Sequence, residues 1–244
     1  MVVGVLPNFD KRGAVEIVEK MSVIFRNNGI TALLPDNVCA SGYKLVPKDD
    51  VCKLADIIIT VGGDGTIIRY AKIAAQYDKP ILGINAGRLG FLAMLESNQL
   101  DLLNRLITGE YKVEERISFD VSVTENDLEI GKYSALNDVV VTRGFISRLI
   151  DITAYIDNDS IVYRSDGLII STPTGSTAYS MSAGGPIVDP TTDNIILTPI
   201  CSHSLSAKPI ILSANKEISV KATTNKRCEI YLSVDGRKAL NIKP

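Results

Sequence analysis

Ala55-Asp56-Ile57-Ile58-Ile59-Thr60-Val61-Gly62-Gly63-Asp64-Gly65-Thr66 is an apolar, β-branched run that breaks into glycines around one aspartate. Such an unbroken apolar run suits a strand buried on both faces of a parallel sheet, where helices cover both sides. Its neighbours extend that reading. Val2 to Leu6 is a short apolar strand, and Val15, Val18, Met21, Ile24 and Phe25 recur at helical spacing, with Gly29 placed as a C-terminal cap. Thr31 to Leu34 reads as a second strand halted by Pro35, Thr66 to Gln76 as a helix, and Ile81 to Ile84 as a further strand. Strands alternating with helices imply right-handed crossovers and a parallel sheet. Ser97 to Thr108 reads as one more helix, with Ser97 as its N-cap.

Beyond Glu110 the pattern changes. Phe119, Val121 and Val123 alternate with polar residues, and Glu125-Asn126-Asp127 is a turn. Ile152 to Ile156 and Ile161 to Tyr163, joined through Asp157-Asn158-Asp159, read as a β-hairpin. Short strands continue to Val234. The expected fold is an α/β N-terminal domain with a parallel sheet, residues 1–100, followed by a mostly β domain, residues 101–244. The C-terminal end is left free to return to the first domain.

Composition narrows the function classes. The chain has 244 residues, 45% apolar and 22% charged, with a net charge of −2. These are values of an ordinary folded chain, and the slight acidity speaks against nucleic acid, whose phosphates call for a basic excess. No run approaches the ~20 apolar residues of a membrane helix, and charge from Asp10 to Arg12 disfavours a secretory signal. Four scattered cysteines and one histidine disfavour disulfide scaffolds and histidine-rich metal sites, so a cytoplasmic, reducing setting is expected.

Three segments carry chemistry. Gly62-Gly63-Asp64-Gly65-Thr66 leaves a buried strand and enters a helix, where open α/β sheets bind ligands. Glycines permit positive φ and close approach of N–H groups to phosphate oxygens, and the helix start adds partial positive charge. A carboxylate among such donors invites a chemical role, while a plain turn with a solvated aspartate is the competing reading. Spacing excludes the dinucleotide fingerprint, since Ile68 stands where its third glycine belongs, and no Gly-Lys-Ser/Thr ending marks a P-loop. Asp166 to Pro186 is dense in hydroxyls and glycines around Tyr179, groups suited to ribose and base, or to a Ser/Thr-rich surface loop. Asn137-Asp138 places an amide and a carboxylate at a strand start.

Together these segments, with Asn85 to Leu92 and His203 to Pro209, resemble the NAD kinase family, which phosphorylates the 2′-hydroxyl of the adenosine ribose of NAD. The Gly-Gly-Asp-Gly-Thr loop alone is shared with lipid kinases; the Asp166 to Pro186 segment is far more specific. The resemblance implies NAD and ATP (or polyphosphate) as substrates, a divalent ion such as Mg²⁺ arriving with the nucleotide, and assembly as a homodimer or homotetramer. It also implies roles. Asp64 resembles the general base at the ribose hydroxyl, with Gly65 beside it. Asn137 and Asp138 resemble the pair holding the other half of NAD, and Asp166 the buried contact near nicotinamide. Arg164 matches a basic position reaching the dinucleotide. Thr177, Ala178, Tyr179, Ser180, Met181 and Ser182 match the adenosine side, and Arg69 and Arg148 stand where some members contact ligand. Departures are Asp138 for the commoner glutamate, Ser202 for proline and Arg237 for glutamine. The chain also stops at Pro244, somewhat short of the family's usual terminus, which implies either a missing final strand or a compact member. A lipid kinase, a non-catalytic dinucleotide sensor and a dehydrogenase are the alternatives. The acidic balance disfavours the first, Asp64 the second, and the missing third glycine the last.

Overall fold

The computed structural model describes residues 1–87, 90–144, 149–204, 207–223 and 229–242, apart from the side chains at 238, 239 and 242. Its contacts divide the chain into two compact units, Met1–Val113 and Glu114–Pro244. Leu100, Leu103 and Leu106 are buried in the core of the first unit.

That unit runs β1 (Val2–Pro7), α1 (Ala14–Asn27), β2 (Thr31–Pro35), β3 (Lys44–Val46), α2 (Lys48–Leu54), β4 (Ile57–Gly62), α3 (Asp64–Gln76), β5 (Ile81–Asn85), β6 (Leu95–Glu96) and α4 (Leu103–Thr108). The strands form one parallel sheet in the order β3-β2-β1-β4-β5-β6. β4 is buried at all six positions, and the period-two pleat explains how. Ile57, Ile59 and Val61 face a core with Ile17, Met21, Phe25 and Leu103, whereas Ile58 faces the opposite core with Leu6, Val51, Tyr70 and Ala74. Full burial of each such side chain is worth roughly 1.5–3 kcal/mol, so a polar residue in this run would open both helix layers. α1 ends as its spacing predicts: Gly29 takes φ +66° and Ile30 donates to the Phe25 carbonyl at 2.9 Å.

Two sequence expectations shift. α3 begins at Asp64 rather than Thr66, and the helix expected from Ser97 begins only at Leu103, after a 3₁₀ turn at Leu100–Leu102. There the Gln99 side chain accepts the Glu96 N–H at 3.0 Å, and no Ser97 cap forms. No helix among the described residues is long and apolar enough to cross a membrane.

The second unit contains β7 (Phe119–Glu125), β8 (Leu128–Ala135), β9 (Asp138–Arg143), β10 (Ile150–Ile156), β11 (Asp159–Ser165), β12 (Gly167–Ser171), α5 (Tyr179–Ser182), β13 (Asn194–Ile200), β14 (Ile210–Ser213), β15 (Ile218–Thr223), β16 (Ile230–Val234) and β17 (Arg237–Ile242). Its largest sheet runs β14-β13-β12-β9-β16-β17, and a smaller one β11-β10-β15. Val139, Val141, Leu168, Ile195, Leu197 and Leu232 of the first pack on Ile150, Ile152, Ala154 and Tyr163 of the second. Both turns read from sequence form, with positive φ at Asn126, Asp127 and Asp157. At the C-terminal side β16 pairs with β9, and Asp235-Gly236 folds β17 back onto β16.

Candidate active site

In the first unit the chain leaves β4 through Gly62 and Gly63 and enters α3 at Asp64. The Asp64 carboxylate is held by backbone, accepting the Phe91 N–H at 2.8 Å on Oδ2 and the Leu92 N–H at 3.1 Å on Oδ1. A carboxylate offers about four lone-pair directions, so each oxygen keeps one for a hydroxyl. Gly90 makes this seat possible, because a Cβ there would lie 2.2 Å from Asp64 Oδ1. Gly62 serves the turn likewise: a Cβ would lie 2.3 Å from Thr66 Oγ1. Contrary to expectation, Gly62, Gly63 and Gly65 do not use positive φ. Their value is closeness and openness; a Cβ on Gly63 or Gly65 would meet nothing within 4 Å. Arg69, one turn further along α3, is exposed and lays its guanidinium over the Tyr70 ring, 5.5 Å from the centroid.

Outside the carboxyl ends of β1, β4 and β5 lies a cleft of about 580 Å³, lined by Lys11, Arg12, Gly63, Asn85, Ala86 and Gly87. It sits where the strand order reverses, since the chain builds outward from β1 through β2 on one side and from β4 through β5 on the other. Sequence reading did not single out Lys11 or Arg12.

In the second unit Asn137 and Asp138 open β9 and are fixed from two directions. Asp235, at the β16–β17 turn, accepts the N–H groups of Leu136, Asn137 and Asp138 at 3.1, 2.7 and 3.2 Å. From the other side Thr172 donates its N–H to the Asn137 carbonyl at 2.9 Å and its hydroxyl to the Leu136 carbonyl at 2.6 Å. Gly175 then passes so close that a Cβ would lie 2.0 Å from the Asn137 carbonyl oxygen. The hydroxyl-rich segment is thereby docked on the amide–carboxylate pair, and Thr177 and Ala178 follow within the same turn. Asn137 Oδ1 is buried without a donor among the described residues. Such an orphan acceptor is costly unless a ligand supplies the N–H. Burial, with the Asp235 charge adding to it, pushes the Asp138 carboxyl up to about 6.

The remaining candidates separate by exposure. Tyr179, Met181 and Ser182 are exposed, whereas Ser180 is fully buried, its hydroxyl 2.8 Å from that of Thr198. Ser180 therefore offers a ligand no side-chain surface and anchors the segment to β13. Asp166 is engaged by Arg143 in a bidentate pair, Nε–Oδ1 at 2.5 Å and Nη2–Oδ2 at 3.2 Å. Arg164 is exposed, with Nε 4.0 Å from Asp151 Oδ1. Arg148 lies outside the described residues, as does Arg88. His203 is exposed, its backbone N–H donating to the Arg164 carbonyl at 2.9 Å.

Residues 3–111 match the model of the ATP-NAD kinase N-terminal domain, and residues 136–244 that of the ATP-NAD kinase C-terminal domain. The chain belongs to the ATP-NAD kinase family. An NAD kinase of Thermoanaerobacter sp. (strain X514) is 39% identical over 98% of this chain and 86% of its own length. One from Chromobacterium violaceum is 41% identical over 86% of this chain and 69% of its own. The crystal structure of a yeast NADH kinase complexed with NADH superposes with a TM-score of 0.88 at 26% identity, covering all of this chain and 77% of that one. An NAD kinase from Archaeoglobus fulgidus in complex with ATP gives 0.75 at 27%, covering all of this chain and 87% of that one. As an NAD kinase, the protein is a phosphotransferase.

Proposed function

We propose that the chain transfers the terminal phosphate of ATP, or of another polyphosphate donor, to the 2′-hydroxyl of the adenosine ribose of NAD, giving NADP. The observation that carries this is the seat of Asp64: a carboxylate fixed by two amide donors at the mouth of a glycine turn, each oxygen keeping a lone pair for a hydroxyl. Asp64 receives that hydroxyl and takes its proton as the 2′-oxygen bonds to phosphorus. Phosphoryl transfer has a loose transition state, so positioning the attacking oxygen is the main task. Gly65 leaves the approach open, and Arg69 lies on the same helix. In the second unit, Asn137, Asp138 and the Thr177 to Ser182 turn hold the dinucleotide, with Asn137 Oδ1 ready to accept an N–H from it. Asp166 acts through its pair with Arg143, and Arg164 lends charge to the diphosphate.

Among the described residues no group of three or more His, Cys, Asp or Glu could cage a metal ion. Mg²⁺ would enter on the donor, since this ion keeps its waters and is held chiefly by phosphate oxygens with one or two carboxylates. Bound there, it would offset phosphate charge. Part of the proposal is that the enzyme works in the cytoplasm as a homodimer or homotetramer. Edge strand β11 leaves Val162 65% exposed, a surface that a second copy would cover.

The test is incubation with NAD, ATP and Mg²⁺ followed by an NADP-specific dehydrogenase, with diacylglycerol offered in parallel. NADP should form. Asp64→Asn should cut turnover by about 10²-fold or more and leave NAD affinity near that of the parent. Near-normal turnover in that variant refutes the role of Asp64.

A further inference from the structure

Among the described residues, the cleft of the first unit is lined by charge of one sign. Lys11 and Arg12 follow β1, both are exposed, and neither makes an ion pair among the described residues. Among the described residues no carboxylate lines the space, and Asp64 is turned to the amides of Phe91 and Leu92. The Asn85 side chain is consumed locally, donating to the Gly87 carbonyl at 3.2 Å and accepting the Gly87 N–H at 3.0 Å. It stiffens the far wall and leaves no side-chain amide to read a base. Gly63 and Gly87 present bare backbone, a Cβ on either meeting nothing within 4 Å. Two unpaired cations facing glycine backbone across about 580 Å³ make a receptacle for an extended polyanion of nucleotide size.

We infer that Lys11 and Arg12 grip the phosphate chain of the phosphoryl donor, and so set affinity for the donor rather than for the dinucleotide. The inference rests on the function proposed above and adds donor-positioning residues to it. Gly63 joins the two parts of the first unit: it lines the cleft and immediately precedes Asp64, so a phosphate chain laid against it ends one residue from the carboxylate. The 2′-oxygen bonds to the terminal phosphorus as the bond to the bridging oxygen breaks. That electron pair leaves with ADP, the hydroxyl proton goes to Asp64, and Lys11 and Arg12 keep the departing diphosphate in place.

Two measurements on the full chain test this with the paired variant Lys11→Ala/Arg12→Ala, whose exposed positions leave the core intact. Steady-state assays should show the KM for ATP rising tenfold or more while the KM for NAD stays within twofold. The swap Lys11→Arg/Arg12→Lys should restore most of the loss. Calorimetric titration with inorganic tripolyphosphate should show binding to the parent that weakens with salt and falls at least tenfold in the paired variant. An unchanged KM for ATP, an equal rise in both KM values, or undiminished tripolyphosphate binding would overturn the inference. If instead the parent makes no NADP, the proposed function fails, and the titration still decides whether these cations hold a polyanion.

Discussion

The two units each hold one candidate aspartate, and they treat it in opposite ways. Asp64 opens α3 and is fixed by two amide N–H groups of a neighbouring loop. Asp138 opens β9, is 4% exposed, and faces a second carboxylate, so the charged form is disfavoured. Asp235, in turn, spends its own carboxylate on three backbone donors around Asp138. The parallel unit therefore seats its acid with the backbone of a neighbouring loop. The antiparallel unit buries one acid and uses another as scaffold. A protein keeps an unfavourable buried carboxyl where function requires it, which makes the contrast testable from both sides.

Breaking the first seat has the largest expected effect. A methyl on residue 90 would sit 2.2 Å from Asp64 Oδ1 and 2.4 Å from Cγ, far inside contact distance, so Gly90→Ala must rotate Asp64 or shift the Phe91–Leu92 amides. Displacement of about 1 Å in a reacting group can cost 10²-fold, so turnover should fall by about that factor with the fold intact. Stopped assays of NADP formation beside a thermal melt separate the two effects. An activity near the parent's would show that Asp64 does not need this seat.

The second acid is best examined through pH. The Asp138 carboxyl is raised to about 6 in the folded protein, against an ordinary value of about 3.9 in the unfolded chain. Between these values the folded state binds more protons, so stability falls as pH rises from about 4 to 6 and stays lowered above. Asp138→Asn removes the penalty. It should raise stability at pH 7.5 by on the order of 2–3 kcal/mol, and the gain should vanish near pH 4, while NAD binding weakens. Melts of parent and variant across this range decide it; a pH-independent difference would assign the effect to packing instead.

The same contrast explains what was legible. The first unit is written in local patterns: an unbroken buried run for β4, helical spacing for α1, glycines flanking Asp64. Even there β3 and α2 escape notice, because each buries only one or two residues and α2 begins Lys-Asp-Asp after Pro47. In the second unit, alternation revealed strands but not partners. Asp235 lies 97 to 99 residues from the backbone it supports, and no spacing rule reaches across that distance. The Arg143–Asp166 pair is hidden for the same reason, joining β9 to the residue before β12. Lys11 and Arg12 belong to no motif, and only the sheet order places them over the crevice beside Gly63. Gly90 was visible as a glycine, yet only the approach of Asp64 says why.

The smallest expected effect concerns a residue whose motif position and structural position disagree. Ser180 lies in the Thr177 to Ser182 turn, between Tyr179 and Met181, both of which are exposed. Its hydroxyl is fully buried 2.8 Å from Thr198 on β13, and Gly185 closes over both, a Cβ there lying 2.3 Å from Ser180 Oγ. A buried neutral hydrogen bond is worth about 1 kcal/mol, so Ser180→Ala should lower stability by roughly that amount, and by more where Thr198 is left unpaired. Ser180→Ala combined with Thr198→Val, which removes both partners, should recover part of the loss. The KM for NAD should stay within twofold in either variant. A tenfold rise in that KM with no change in the melt would instead mean that the hydroxyl turns outward to the dinucleotide, and the division between an anchoring Ser180 and an exposed Tyr179 and Ser182 would have to be redrawn.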